Sequence, residues 1–397
     1  MTVLAHRLSK IHESQTLAIT AKANELKAKG IKVLSLSAGE PDFDTPKHIQ
    51  DAAIDAIKSG FTHYTANNGI PELREAICKK FKEENGVEYK PNEILVSNGG
   101  KHAIANFFLA FLNPDDEVII PAPYWVSYPE IVKLADATPK IVETSWQSNF
   151  KITPEQLKQS ITSKTKLFVL NSPSNPTGTV YTPEEIIALC KICVEHKVYI
   201  LSDEIYEHLI FNGTKHLCPA SIPEFKPYSI IVNGVSKSFA MTGWRIGYLA
   251  AEKSIIDGAA KIQSQTTSNA SSISQKASLA AISGGIDVIK PMFAEFEKRR
   301  NFVFSELSKM PLVNLKEPGG AFYVFPDLSA IIGKKYNGQS IQSINQFCEI
   351  LISDFRLACV PGDAFGTPLS LRMSYATGME VLKDAMTQFR SALESLK

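Results

Sequence analysis

Between Val232 and Tyr248 the chain reads VNGVSKSFAMTGWRIGY, with one lysine, Lys237, among small and apolar residues and one arginine, Arg245, eight positions later. Burying a lysine penalises its charged form and moves it toward the neutral amine that attacks carbonyl carbons. An amine that can condense with an aldehyde, beside a guanidinium that can hold a phosphate dianion, is the pair that pyridoxal phosphate requires. The plainer alternative is a lysine reaching from a strand end into water and an arginine paired with a surface carboxylate.

Other stretches offer the remaining groups such a cofactor needs. Asn98, Gly99, Gly100 and Lys101 lie where ILVSNGG, a strand pattern, gives way to the helical pattern KHAIANFFLAFL. Free N–H groups and the positive end of a helix make an anion site there; otherwise it is an ordinary turn. Tyr124 and Trp125 follow a strand in PAPYWVSYPE, where the indole could be a stacking face for a flat ring or simply a core aromatic. In VYILSDEIYEHL, Asp203 stands directly after a buried strand. An ionised carboxylate there would keep a pyridine nitrogen protonated and make the ring an electron sink, and Tyr206, three residues on, can point the same way. The alternative is a surface acid. KLFVLNSPSNPTGTVY runs a strand into a turn whose Asn175–Pro176 peptide is a candidate cis bond. Arg372 sits mid-strand in LSLRMSYAT, suited to grip a carboxylate with both arms of its fork or to make a structural salt bridge.

The elements that must position these residues alternate. Residues 14–29 read as a helix, KVLSLSAG as a short strand, and Pro46 opens a helix through Lys58. From ILVSNGG to SIIVNGV, apolar strands alternate with helical segments near 127–135, 154–162 and 183–196. That pattern predicts an α/β fold whose mostly parallel sheet is covered on both faces, as a three-layer large domain over residues 46–300. After Pro311, GGAFYVFPDL, FRLACVPG and LSLRMSYA read as strands among helices, predicting a smaller α+β domain formed by both chain ends, 1–45 and 301–397.

Composition bounds the partners. The 397 residues, 44% apolar, are enough for two domains with a large core. Lys and Arg number 42 against 41 Asp and Glu, so the net charge of +1 speaks against nucleic acid or an anionic membrane as the main partner. No apolar run approaches a membrane span, and MTVLAHRLSK lacks the apolar core of a secretion signal. Six cysteines without disulfide-rich spacing suit a reducing cytoplasm. Cys190 and Cys193 form a C-x-x-C inside a helical pattern with no second metal pair, so a core-facing pair is expected and no metal site.

In chain order, HYTANNGIPELR, N-P-T-G at Asn175–Gly178, Asp203 with Tyr206, SKSFAMTGWRIGY and Arg372 make the chain resemble the class I aminotransferases, fold type I of the pyridoxal phosphate enzymes. The resemblance implies a cofactor held as an aldimine by Lys237, with its phosphate at Gly99, Gly100, Lys101 and Arg245, Trp125 over its ring, Asp203 on its nitrogen, and Asn175 and Tyr206 on its phenolic oxygen. Many members carry a phosphate-binding serine three residues before the lysine; here Gly234 stands there, and Ser236 is the candidate substitute. Tyr64 would reach the phosphate of the partner subunit, implying a homodimer with shared sites. Arg372 would bind the substrate α-carboxylate, with Gly39, Trp125, Asn175 and Thr16 bordering the substrate and Lys101 on a distal carboxylate. VPGDAFG at 360–366 and EPGGAFY at 317–323 are further matches, with structural roles expected. The implied activity moves an amino group from aspartate or a similar L-amino acid to 2-oxoglutarate. Alternatives are other donors such as aromatic amino acids, a lyase or racemase of the same fold, and a cofactor-sensing regulatory module, for which no basic stripe is visible. Members that also use prephenate tend to carry a lysine where this chain has His12, which argues against prephenate.

Overall fold

The computed structural model describes residues 3–13 and 15–397. The first helix, α1, covers Gln15–Ala28; residue 14, expected to open it, lies outside the described residues. Only two residues of KVLSLSAG pair as a strand, β1 (Leu34–Ser35). Helices α2 (Lys47–Lys58) and α3 (Pro71–Glu84) follow. Then come β2 (Ile94–Ser97), α4 (Gly100–Phe111), β3 (Glu117–Ala122), α5 (Ser127–Leu134), β4 (Thr138–Glu143), α6 (Pro154–Ser160), β5 (Thr165–Asn171), α7 (Pro183–Glu195), β6 (Tyr199–Asp203), β7 (Ser229–Gly234) and β8 (Gly247–Ala250). These seven-to-fourteen-residue helices and short apolar strands are set by local signals. In α7, for example, Thr182 accepts from the Glu185 N–H, Glu185 accepts from the Thr182 N–H, and Pro183 stands at the first turn.

The strands form one seven-stranded sheet in the order β2-β8-β7-β6-β5-β3-β4. Only β8 runs antiparallel, to β2 and β7. Successive residues of one strand face opposite layers: Leu167 and Val169 pack with α4, α5 and a later helix, Lys253–Thr266, while Phe168 and Leu170 pack with α6 and α7. Both faces of β5 are therefore apolar, the signature of a sheet covered on both sides. Cys190 and Cys193 are buried on α7 in the second of these layers, as expected of a core-facing pair.

Three helices, α8 (Lys253–Thr266), α9 (Ser272–Gly284) and α10 (Lys290–Ser308), lead out of the sheet. Among the described residues no single helix is long and apolar enough to cross a membrane. The rest is β9 (Tyr323–Val324), β10 (Lys335–Tyr336), β11 (Gln339–Ser340), α11 (Ile344–Ser353), β12 (Leu357–Ala358), β13 (Val360–Pro361), β14 (Leu371–Ser374) and α12 (Met379–Glu394). The strands after Pro311 are shorter than their apolar patterns suggest. In GGAFYVFPDL the Gly320 and Ala321 N–H groups donate to the loop carbonyls of Gly178 and Leu209, leaving only Tyr323–Val324 for a sheet. The first strand, β1, pairs in parallel with β12, so the two chain ends meet. We propose a division into a large domain over 46–300 and a small one from the ends; residue 300 lies inside the continuous α10.

Candidate active site

The parallel strands deliver their carboxyl ends to one edge of the sheet, the edge where open α/β sheets gather ligands. Register does the gathering: Asn171 is the partner of Asp203 across β5–β6, Asp203 of Val232 across β6–β7, and Gly234 of Gly247 across β7–β8. Because β8 runs the other way, its starting end lies at this edge, and the Val235–Ile246 excursion that carries Lys237 and Arg245 begins and ends there. A cavity of about 420 Å³ opens over the edge.

Of the residues expected in the site, Thr16, Gly39, Gly100, Lys101, Trp125, Asn175, Asp203, Tyr206, Ser236, Lys237, Arg245 and Arg372 line this cavity. Gly99 stands just behind it, capping α4 with φ 90, a left-handed conformation in which a Cβ would lie 2.5 Å from an Arg245 guanidinium nitrogen. Glycine there lets the guanidinium close over the start of α4, whose first N–H groups have no intrahelical acceptor. Arg245 is itself left-handed, φ 57, and its guanidinium donates to the Thr242 carbonyl at 2.9 Å. Tyr64 is not part of the cavity: it is 91% exposed on the same chain's surface. The Asn175–Pro176 peptide is cis.

Lys237 reaches the cavity from below and donates to the Gly39 carbonyl at 2.6 Å. Burial first, with help from the Arg245 and Arg372 guanidiniums, brings its amine down to about 8; Glu40 and Asp203 pull the other way. The Asp203 carboxyl is pushed up to about 6, chiefly by burial, against two donors: the Tyr128 hydroxyl at 2.5 Å and the Ile205 N–H at 3.3 Å. Just past it, Glu207 accepts from Lys80, Asn85 and Asn233, which fixes the turn after β6. The Tyr206 hydroxyl shares a hydrogen bond with Tyr323 at 2.9 Å.

Arg372 is buried, donating to Asn175 Oδ1 at 3.0 Å and the Ser37 carbonyl at 2.7 Å, with its guanidinium 4.6 Å from the Tyr323 ring centre and 5.1 Å from that of Phe365. Its Nε has no hydrogen-bond partner. Arg372 lines the cavity, and a buried guanidinium with donors to spare beside a cavity suits an anion. Because Asn175 Oδ1 is taken, the Asn175 amide is left with its NH₂ to offer. Lys101 holds its ammonium 5.2 Å from the Trp125 ring centre, and partial desolvation and Arg245 draw its amine below the usual lysine range.

Sequence reasoning missed several groups. Tyr323 and Phe365, expected to be structural, flank Arg372. Tyr128 lies in the first turn of α5, three residues past Trp125, with its N–H on the Trp125 carbonyl; the two rings meet edge to face at 5.2 Å. Asn171 donates to the Asp203 carbonyl and accepts from the Asn175 N–H. Gly234 also has its reason: a Cβ there would lie 2.9 Å from the Gly247 Cα, so no serine fits, while Ser236 does line the cavity.

Tyr128→Phe keeps the ring and removes one donor to a carboxylate, worth about 1.5–3 kcal/mol. The ionised form of Asp203 loses support, so the carboxyl is pushed further up and its titration moves to higher pH. A pH profile of the variant that overlays the parent would show that the hydroxyl does not act on Asp203.

Residues 31–389 match the family described as aminotransferase class I and II. The aspartate aminotransferase of Bacillus sp. (strain YM-2) is 48% identical over 385 residues, 97% of each chain. The aspartate/prephenate aminotransferase of Cereibacter sphaeroides is 48% identical over 98% of each chain. The crystal structure of the aspartate aminotransferase from Rhizobium meliloti superposes with a TM-score of 0.96 at 42% identity, covering 100% of both chains.

Proposed function

Since the chain belongs to the class I and II aminotransferase family and is a transaminase, we propose that it moves the amino group of aspartate to 2-oxoglutarate with pyridoxal phosphate, using Lys237 as its catalytic amine. The observation that carries this reading is the meeting of Lys237, Asp203 and Arg372 in one cavity, with the Arg372 Nε unpaired. The residues present fit the cofactor. The start of α4 and Arg245 suit a phosphate, Trp125 a ring face, Asp203 a protonated ring nitrogen, and Asn175 and Tyr206 a phenolic oxygen; Gly99 and Gly234 leave the backbone room that a Cβ would close. When bound, pyridoxal phosphate supplies an electron sink for the pair left on the substrate α-carbon as its proton departs.

The chain's own residues then have separable tasks. Arg372 takes the substrate α-carboxylate with its remaining donor capacity and, with the Asn175 amide, orients the α-C–H toward Lys237. Lys237 Nζ takes that proton and gives it up again, a task suited to an amine near 8. Asp203 keeps its negative charge at the foot of the site, and Tyr128 and the Ile205 N–H fix its orientation. Trp125 excludes water from one side. A substrate panel run with 2-oxoglutarate tests the reading: aspartate should lead, and the lack of any amino donor would overturn it. Prephenate belongs in the same panel, because of the Cereibacter relative; His12 is exposed, its backbone N–H on Glu130, and we expect prephenate to be a poor acceptor.

Substrate choice should rest on Lys101, which places an ammonium at the cavity mouth for a distal carboxylate. Such a partly desolvated pair contributes roughly 1–3 kcal/mol. Lys101→Ala should therefore lower kcat/KM for aspartate about tenfold or more while changing phenylalanine little. An unchanged aspartate-to-phenylalanine ratio would mean that Lys101 serves only the phosphate.

The same reading favours a homodimer. Tyr64 is exposed together with Ile54 and Ile57 of α2, as expected for a tyrosine that completes the partner's phosphate site. The six cysteines form no disulfide, in keeping with a reducing, cytoplasmic setting.

A further inference from the structure

The amine of Lys237 donates to the Gly39 carbonyl at 2.6 Å. The next residue, Glu40, lines the same cavity, and its carboxylate accepts from the Thr242 hydroxyl at 2.6 Å. Thr242 lies on the excursion that carries Lys237, so the bond ties the carboxylate to the lysine's own loop. The Glu40 segment is held from two further sides. Asp42 pairs with Arg299 at 2.7 Å, and Phe43 packs on Phe296 with ring centres 5.4 Å apart. Thr45 donates to the Ala240 carbonyl at 2.8 Å and accepts from the Trp244 indole at 2.9 Å. The position of Glu40 is thus set by the fold before any ligand arrives.

Apart from Glu40, the charged groups that line the cavity with the amine are Lys101, Arg245, Arg372 and Asp203. Both guanidiniums oppose protonation, and Asp203 is committed to Tyr128 and the Ile205 N–H at the foot of the site. An acid–base group works best when its affinity for the proton lies near the working pH. A buried amine facing two guanidiniums tends to fall below that range and to stop holding the proton it has taken.

We propose that Glu40 is a positioning residue for the reaction, the counter-charge on the substrate loop that keeps the free Lys237 amine able to hold a proton. The inference rests on the reading of Lys237 as the catalytic amine. Glutamine at position 40 still offers Thr242 an acceptor, so Glu40→Gln removes the charge and little else.

The test uses the full-length chain freed of cofactor. Acetic anhydride is applied across a pH series, and acetylation of Lys237 is read by mass spectrometry. Without Glu40's charge the ammonium loses support, so the labelling midpoint should move to lower pH by about half a unit or more in Glu40→Gln, and in the same direction in Glu40→Ala. Thermal unfolding identifies the folded variants. A purely structural role would move the unfolding temperature and leave the labelling midpoint in place. An unchanged or raised midpoint in either folded variant overturns the proposal. If Lys237 proved not to carry the cofactor, borohydride labelling would reveal that separately, while the acetylation midpoint would still report the effect of Glu40 on the amine.

Discussion

Lys237→Ala should yield a folded chain whose transamination is slowed by about ten-thousandfold. The side chain makes one hydrogen bond, to the Gly39 carbonyl, and its removal relieves a buried amine of two neighbouring guanidiniums, so the fold has little to lose. The chemistry loses its proton carrier, and no other amine on the cavity wall has the same aim. Lys101, the alternative, lies at the mouth over Trp125. Borohydride reduction of the wild-type holoenzyme should leave a phosphopyridoxyl mass on the peptide containing Lys237 and on no other. Turnover within tenfold of the parent, or the label on Lys101, would remove the central assignment.

Asp203→Asn should cost on the order of a hundredfold or more in kcat, the equivalent of a few kcal/mol for a lost charge-assisted partner in a buried site. Asparagine has the shape to keep the Tyr128 and Ile205 contacts, so the fold should survive. The pH dependence separates electrostatics from damage. Without the cofactor, burial pushes the parent carboxyl up to about 6; a protonated ring nitrogen beside it would hold it lower. On the acid side, where Asp203 takes a proton and its negative charge is lost, the rate should drop. The asparagine variant has no such charge to lose, and its residual rate should lack that limb. A variant as fast as the parent would show that another acid holds the ring nitrogen. A slow variant with the acid limb intact would assign that limb to a different group.

Much of the molecule was legible in the sequence because its signals are local. In the seven-stranded sheet and the helices that cover it, element lengths follow from apolar runs bounded by Pro, Gly and capping residues, as at Thr182–Glu185, where the cap, the proline and the acidic first turn agree. The two-sided apolar character of KLFVLN follows from burial on both faces and predicted a covered parallel sheet. Lys237, Asp203 and Arg372 stood out because each is a charged residue in or just after an apolar strand pattern, where polar groups need a partner, and Asn175 because its N-P-T-G turn resembles the family's motif.

What the sequence could not order is what strand register decides. That Asn171 sits opposite Asp203, and that Gly234 meets Gly247 too closely for any Cβ, depends on pairings between segments far apart in the chain. The Tyr128–Asp203 contact spans 75 positions, Tyr206–Tyr323 spans 117 and Arg372–Asn175 spans 197. The sequence by itself determined which side chains carry the charges and which segments bring them to the end of a strand, because both are local matters of residue type and periodicity. Only the tertiary structure decided their partners. The proton affinities of Lys237 and Asp203 are set by burial and by neighbours across those long separations, which no local pattern encodes.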